Sequence, residues 1–407
     1  MDGILRTAID HGQFQVVWPD GDVSHYGDGH GTKAGVKIRD SATLWRLVRN
    51  PSLTVGEAYM DAGLIPIEGS IYDVLHLLFE NLSRTWHRVP VLRLNSWARM
   101  LQRRFEQANQ LTRARRNVAH HYDLNGRLYS LFLDRDRQYS CAYFRRGDET
   151  LEEAQAAKKR HIAAKLMLNK PNLTVLDIGC GWGGMALTLA REFGAKVTGI
   201  TLSAEQLQEA RARATAEGLS ERVNFELMDY RAVTQKFDRI VSVGMFEHVG
   251  LPNYSTYFET IKRCLKPEGV ALLHSIGRFE GPASTNPWIA KYIFPGGYAP
   301  ALSEVLDPIE KSGLRTADIE ILRLHYAKTL AHWRRRFAAN RDAIAALYDE
   351  RFCRMFEFYL AGSELAFRVN AHMNFQIQLT HRNDATPLTR DYMMEAERAT
   401  SYSQAAD

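Results

Sequence analysis

Val175-Leu176-Asp177-Ile178-Gly179-Cys180-Gly181-Trp182-Gly183-Gly184 is the stretch on which the reading of this chain turns. It reads as a buried strand running into a glycine turn and then a helix over 185–193. Glycines in such a turn let the backbone pass close to a ligand, and a helix start presents free N–H groups. The spacing Gly179, Gly181, Gly184 also fits the dinucleotide pattern G-x-G-x-x-G, so the turn alone does not name its ligand. Two features argue against a nicotinamide cofactor. Asp177 stands two residues before the first glycine, where a carboxylate can face a ligand ammonium. The next strand, 196–201, ends without the acidic residue that usually holds a ribose.

Working outward, strands at 174–178, 196–201, 223–228, 237–243 and 270–276 alternate with helices at 204–217 and 254–265. This is the pattern of a doubly wound α/β domain with a parallel sheet, whose ligands sit at the carboxyl ends of the strands. A helix over 151–168 precedes it. A stretch over 277–303, rich in proline, glycine and aromatics, reads as a lid or binding loop. A strand over 319–329, helices near 330–339 and 343–364, and a last strand over 373–379 complete the domain. The first 115 residues differ in style. Short strands at 14–18, 23–26 and 34–38 are followed by helices at 43–48, 54–62 and 70–82 and a basic helix at 92–111. Two domains, 1–115 and 116–407, suit a chain of 407 residues.

Composition sets bounds on function. No apolar run reaches the roughly 18 residues of a membrane span, and the first residues lack an apolar signal core, so a cytoplasmic location is expected. The four cysteines form no C-x-x-C pair, which argues against a zinc site; no metal is expected. The net charge of +5 is unevenly spread, with Arg93, Arg99, Arg103, Arg104, Arg113, Arg115 and Arg116 in one segment and Arg334 to Arg336 in another. Such surfaces attract anionic lipid or nucleic acid, although a solvated helix face explains either cluster alone.

Several polar groups fall at strand ends or in loops on the ligand side. Asp229 follows the third strand, and Glu247 and His248 follow the fourth. His274 lies near the end of the fifth, Tyr326 falls in the penultimate strand, and Cys141 precedes the sheet. His274 is open to reading as a satisfied core histidine, Tyr326 as a strand aromatic and Cys141 as a small buried hydrophobe. Glu247 resists a bland reading, because a carboxylate within Met-Phe-Glu-His-Val is costly to bury without use.

Five motifs together resemble the cyclopropane fatty acid synthases and the related mycolic acid cyclopropane synthases. They are Gln138-Tyr-Ser-Cys-Ala-Tyr143, the glycine stretch 175–184, Val243-Gly-Met-Phe-Glu-His-Val-Gly250, Leu272-Leu-His-Ser-Ile-Gly277 and Tyr292-Ile-Phe-Pro-Gly296. The resemblance runs from about residue 118 to 400, and the first domain is similar to that of the phospholipid-acting bacterial branch. It implies a Rossmann-like class I S-adenosylmethionine-dependent methyltransferase sheet with a small α+β N-terminal domain. It implies methyl transfer to the cis double bond of an unsaturated phospholipid chain, proton loss and ring closure. It also implies a cofactor site lined by Tyr139, Ser140, Gly179, Gly181, Thr201, Gln206, Asp229 and Tyr230, to which the residue reading adds Asp177. A bicarbonate ion is implied as base, held by Cys141, Glu247, His274, the Ile276 backbone and Tyr326. A membrane-borne substrate without a membrane span implies peripheral attachment to the inner membrane surface, and no nucleic acid is expected. The first domain is then a docking module, with packing or homodimerisation as its alternative task. The competing readings are a methyltransferase giving a methyl-branched chain or methylating a small amine, a non-enzymatic lipid-binding protein, and, distantly, a nicotinamide oxidoreductase.

Overall fold

A computed structural model describes residues 1–89, 99–100 and 126–404 of the chain. The helix expected over 92–111 and the arginines of that segment other than Arg99 therefore lie outside the described residues, as does the 115/116 boundary. The chain divides into two compact units: Met1–Glu106 with Ala283–Pro295 and Ala327–His372, and Gln107–Pro282 with Gly296–Tyr326 and Met373–Asp407. This differs from a simple division near residue 115, because two later segments belong with the N-terminal part.

The first unit holds a four-stranded sheet, β1 (Gln13–Val17), β2 (Val23–Tyr26), β3 (Lys33–Ile38) and β4 (Leu64–Glu68), in the order β2-β1-β3-β4. Phe14 and Val16 alternate inward on β1, as a half-buried strand requires. They share a core with Val74, Leu75 and Leu77 of the helix Ile71–Thr85, which starts at a capping box of Ser70 and Asp73. β4 was not expected from the sequence, because Pro66 interrupts it; it sits at the sheet edge, where a missing N–H is tolerated. The later segments join this unit through side chains. The Trp288 indole N–H points to the Met60 sulfur at 3.3 Å, and Lys291 and Tyr292 both donate to Glu57. Ala361 and Leu365 of the helix Glu350–Arg368 enter the core. Residues 277–303 are thus not one loop, since the helix Pro287–Tyr292 lies within them. Arg334 is no free surface cation either: it pairs with the buried Glu364 at 2.9 Å and lies over the Tyr72 ring.

The second unit is built on a seven-stranded sheet of β5 (Thr174–Ile178), β6 (Lys196–Thr201), β7 (Val223–Leu227), β8 (Phe237–Val243), β9 (Leu265–Arg278), β10 (Arg315–Leu322) and β11 (His372–Thr380). The order is β10-β11-β9-β8-β5-β6-β7. Pairs β5–β6, β6–β7, β5–β8 and β8–β9 are parallel, and β10–β11 is antiparallel. Successive residues point to opposite faces. Val175, Val241 and Leu272 enter the core on one side, and Leu176, Ile240 and Leu273 that on the other. Central strands buried on both faces read as the unbroken apolar runs seen in the sequence. The chain leaves β5 toward β6 and β7, then returns to place β8 on its other side. That makes the β5 end a switch point, where open α/β sheets bind ligands.

The expected strand over 319–329 ends earlier. β10 stops at Leu322 and a helix, His325–Ala339, begins three residues later. Tyr326 is therefore in the first turn of a helix and not in a strand.

Packing around β6 yields a test of this fold. A Cβ on Gly199 would lie 2.7 Å from the buried Phe225 ring and 3.0 Å from the Cys180 Cβ. Gly199→Ala is expected to destabilise the protein by about 1–3 kcal/mol, as overpacking does. An unchanged thermal midpoint would show that β6 and β7 pack more loosely than described.

Candidate active site

The turn after β5 begins where the sheet releases the chain. The Gly179 and Cys180 N–H groups donate to the Ile200 carbonyl at 2.9 and 3.0 Å, tying the turn to β6. Gly179, Gly181 and Gly183 have φ of 83°, 54° and 85°, in the left-handed region that favours glycine. Their neighbours separate packing from ligand space. A Cβ on Gly179 would press on Met245 at 2.8 Å, one on Gly183 on Phe225 at 2.8 Å, and one on Gly184 on Asp136 and Gln138. A Cβ on Gly181 would meet no protein atom within 4 Å. Gly181 is thus the position whose glycine is not explained by protein packing, and it opens into a pocket.

All nine residues expected around a cofactor line that pocket. Tyr139 and Ser140 come from the segment before the sheet, and Tyr139 is held edge-on by Tyr129 with ring centroids 5.4 Å apart. Asp177, Gly179 and Gly181 come from β5 and its turn. Thr201 and Gln206 follow β6 and are joined by a 3.0 Å hydrogen bond from the threonine hydroxyl to the glutamine carbonyl. Asp229 and Tyr230 follow β7. Both carboxylate oxygens of Asp229 are taken by the Arg231 guanidinium at 2.8 Å, which fixes the wall. The pocket also includes Arg137, Trp182, Met245 and His248, which the sequence reading did not assign to the cofactor. The Arg137 guanidinium lies 5.0 Å over the Trp182 ring. Trp182, Met245 and His248 lie inside two of the quoted motifs and Arg137 directly precedes a third, which was the available signal for these.

Asp177 is the electrostatic centre of the pocket. It is buried, its Oδ2 has no hydrogen-bond partner among the described residues, and burial pushes its carboxyl up to about 7 against the pull of Lys158. Lys158 is itself buried, donating to Gln138 Oε1 at 2.6 Å and Ser140 Oγ at 2.9 Å, and burial pushes it down to about 8. An unsatisfied buried carboxylate beside an open glycine is a poor end state for folding but a ready partner for a cationic ligand. The residues present therefore fit the aminoacyl part of S-adenosylmethionine.

The second expected group does not line this pocket but adjoins it. Val243, at the end of β8, pairs with His274 on β9, and the Gly244 N–H donates to the His274 carbonyl at 3.0 Å. Glu247 follows in a short helical turn between Met245 and His248, both of which line the pocket. Its Oε1 accepts from the Ile276 N–H at 2.7 Å, while its Oε2 is buried without a partner among the described residues. The His274 Nε2 is likewise buried without a partner. Burial pushes Glu247 up to about 7, and pushes His274 down to about 3 with help from Lys158 and Lys165. The Ile276 backbone thus contacts Glu247 directly, through its N–H.

Cys141 and Tyr326 are placed by one segment. Cys141 is buried, with its Sγ donating to the Ala142 carbonyl at 3.3 Å. Two residues on, Tyr143 stacks on His325 at 4.9 Å, and the Phe144 N–H donates to His325 Nδ1 at 3.0 Å. The segment 138–144 thus runs from the cofactor pocket to the residue beside Tyr326.

A parallel sheet of this order, with a glycine turn after its central strand and a buried acid beside it, defines a class I methyltransferase dependent on S-adenosylmethionine. The mycolic acid cyclopropane synthetase family profile matches residues 109–377, and a domain of unknown function matches residues 2–88. The chain belongs to that cyclopropane synthetase family. It is 40% identical to the cyclopropane-fatty-acyl-phospholipid synthase of Escherichia coli over 85% of this chain and 90% of that protein. It is 44% identical to a probable fatty acid methyltransferase of Pseudomonas putida over 63% of this chain and 67% of that one. Among solved structures it is similar to mycolic acid cyclopropane synthase CmaA1 complexed with SAH and CTAB, with a TM-score of 0.61 and 33% identity, covering 65% of this chain and 97% of that one.

Two outcomes test the pocket. Gly181→Ala places a methyl in ligand space and a side chain at positive φ. It is expected to cost roughly 1–2 kcal/mol of stability yet weaken S-adenosylmethionine binding at least about tenfold, a loss of about 1.4 kcal/mol in binding. Wild-type affinity in calorimetry would show that the backbone of Gly181 is not approached. Cofactor affinity should also rise between pH 6 and 7.5 as Asp177 ionises, and Asp177→Asn should weaken binding and flatten that rise. Because the folded carboxyl titrates above its unfolded value of about 4, its contribution to stability is complete below that pH and is lost as pH rises to about 7. Affinity independent of pH in the wild type would remove Asp177 from contact with the ligand cation.

Proposed function

We propose that this protein is a cyclopropane-fatty-acyl-phospholipid synthase. In this reading the methyl carbon of S-adenosylmethionine bonds to one carbon of a cis double bond and its bond to sulfur breaks. The neighbouring acyl carbon becomes cationic. A proton then leaves the new methyl group, and the electrons of that C–H bond close the ring. The observation that carries the reading is the pair of unpartnered buried atoms, His274 Nε2 and Glu247 Oε2, on adjoining segments beside a methyltransferase pocket. An N-methyltransferase acting on a small amine has no need of a second buried donor and acceptor set apart from the cofactor.

The cofactor supplies an electrophilic methyl on a sulfonium. The chain's residues do the rest. Gly181 and Asp177 bind and orient the donor, and Thr201, Gln206, Asp229 and Tyr230 wall the other side. Holding an alkene, a weak nucleophile, in line with the methyl converts a rare encounter into an intramolecular step. The aromatic cluster of Phe246, Tyr254 and Tyr257 behind Glu247 keeps water from this end of the sheet. An exposed amine base would capture the methyl or the cation; a small bound anion would not.

The residues present fit bicarbonate as that anion. A hydrogencarbonate both donates and accepts, so it can accept from a His274 N–H and from a protonated Glu247 Oε2, with the Tyr326 hydroxyl and Cys141 in the adjoining segment. Burial favours an uncharged Glu247 at neutral pH, which avoids two negative charges in one small site. A methyl-branched product remains the second reading, supported by the likeness to a fatty acid methyltransferase.

The acyl substrate places the enzyme at a membrane surface. Among the described residues no helix is long and apolar enough to cross a membrane. Peripheral docking is supported by Trp45, 74% exposed on the helix Ser41–Arg49, which also carries the exposed Arg49. Aromatic rings settle at the lipid interface, and each basic residue near an anionic surface adds roughly 1 kcal/mol.

The test is incubation with S-adenosylmethionine and mixed unsaturated phospholipids, read by lipid mass spectrometry. Methylene addition is expected. A mass two hydrogens higher would indicate methyl addition with reduction and overturn the assignment. Glu247→Gln is expected to lower turnover by about 10² or more, with cofactor binding retained. Added bicarbonate should restore depleted wild-type enzyme more than this variant. Equal rates with and without bicarbonate would remove the ion from the reaction.

A further inference from the structure

The last strand carries Asn374, Gln376 and Gln378 on one face and Met373, Phe375, Ile377 and Leu379 on the other. Such alternation ordinarily marks a strand with one wet face. Here both faces are buried, and the three amides are at most 2% exposed. Facing them is a helix, Leu151–Lys165, whose inward stripe is also polar: Lys158, His161 and Lys165 are all buried. Buried polar groups on two facing elements are costly unless they serve one another or a reaction.

Their hydrogen bonds form one chain that ends at His274. Lys165 Nζ donates to Gln376 Oε1 at 2.7 Å and also to Glu320. Glu320 accepts in turn from His161 Nε2 at 2.6 Å, and His161 Nδ1 meets Glu397, which accepts from Arg145 at 2.8 Å. Gln378 holds the same lysine from the other side, donating to the Lys165 carbonyl at 2.6 Å. At the near end, Gln376 Nε2 lies 3.1 Å from His274 Nδ1.

This arrangement fixes a proton. An ammonium only donates, so the amide atom facing Lys165 is the carbonyl oxygen of Gln376. The atom facing His274 is then the NH₂ group, which only donates. His274 Nδ1 must accept, and the ring proton sits on Nε2, the atom without a partner among the described residues. We propose that Lys165 and Gln376 are positioning residues that lock His274 as the neutral Nε2–H tautomer. His274 then donates a hydrogen bond into the site and is barred from acting as the base that removes the methyl proton. The role in turnover rests on the proposed function; the tautomer itself does not. Burial, reinforced by Lys158 and Lys165 and countered by Glu320, opposes its protonation. The base must therefore be another group, a requirement that the bound anion meets.

The test reads the tautomer directly. Full-length protein with ¹⁵N-labelled histidine is examined by long-range ¹H–¹⁵N correlation, with His274→Asn used to assign the signal. In the wild type, Nδ1 is expected unprotonated and Nε2 protonated, unchanged from pH 6 to 9. Gln376→Glu turns the donor at Nδ1 into an acceptor. It should move the proton to Nδ1 or protonate the ring, and lower kcat by about 10²- to 10⁴-fold, the range for a lost or mis-set acid–base histidine. S-adenosylmethionine affinity should change less than threefold, because neither residue lines that pocket. Lys165→Arg, which keeps a donor toward Gln376, should keep the wild-type tautomer. An Nδ1–H or a titrating imidazolium in the wild type would overturn the proposal even if Gln376→Glu fails to fold. A switched tautomer with unchanged kcat would also overturn it. An Nε2–H tautomer in an enzyme that makes no cyclopropane would instead contradict the proposed function alone.

Discussion

The second unit depends on one constraint: the chain must leave β5 at the point where the sheet divides, and turn back into a helix without filling the space above. Four glycines within six residues accomplish this, but not for one reason. Gly179, Gly183 and Gly184 are glycines because Met245, Phe225 and Asp136 stand too close for a side chain. Gly181 is glycine with nothing beside it. Packing demands the first three, while at 181 only the left-handed φ of 54° favours glycine. The fourth leaves a bare stretch of backbone facing a pocket, and every other cofactor-lining residue is arranged around that opening.

The same unit tolerates unsatisfied buried polar atoms at the places where chemistry is expected. Asp177 Oδ2, Glu247 Oε2 and His274 Nε2 lack partners among the described residues, and each such group costs about 1–3 kcal/mol when left alone in the interior. Burial moves the two carboxyls up to about 7 and the histidine down, so the histidine is neutral near pH 7 and the carboxyls are poised to titrate there. An anion beside Glu247 and a cation beside Asp177 would relieve opposite needs within one sheet end. The buried amides of β11 and the basic stripe of the helix before β5 hold the histidine in place, so the polar interior of this unit is connected and not scattered.

Much of this was legible in the sequence. The five parallel strands were visible as apolar runs between amphipathic helices, and the glycine turn and Asp177 marked the ligand end. Glu247 was conspicuous because a carboxylate in an apolar run needs a reason. What was not legible depended on distant contacts. Leu322, Leu324 and Tyr326 alternate as a strand would, yet the helix begins at His325, whose ring is engaged by Tyr143 and the Phe144 N–H, about 180 residues earlier in sequence. Pro66 hid an edge strand. The alternation of β11 was plain, but its polar face reads as solvent-facing until Lys165 and His274 are seen opposite it. The union of 283–295 and 327–372 with the N-terminal part follows from Trp288, Glu57 and the apolar face of Glu350–Arg368, and no local pattern announces it.

The account rests on a proton leaving the transferred methyl group, and isotope retention measures that directly. With S-adenosylmethionine carrying a fully deuterated methyl and an unsaturated phospholipid in vesicles, ring closure removes one deuteron from the methyl carbon. The account predicts a product that keeps two of the three deuterons, with no reductant required. A product that keeps all three would contradict it, because the methyl would then have been transferred without the proton loss for which the Glu247–His274 site is proposed.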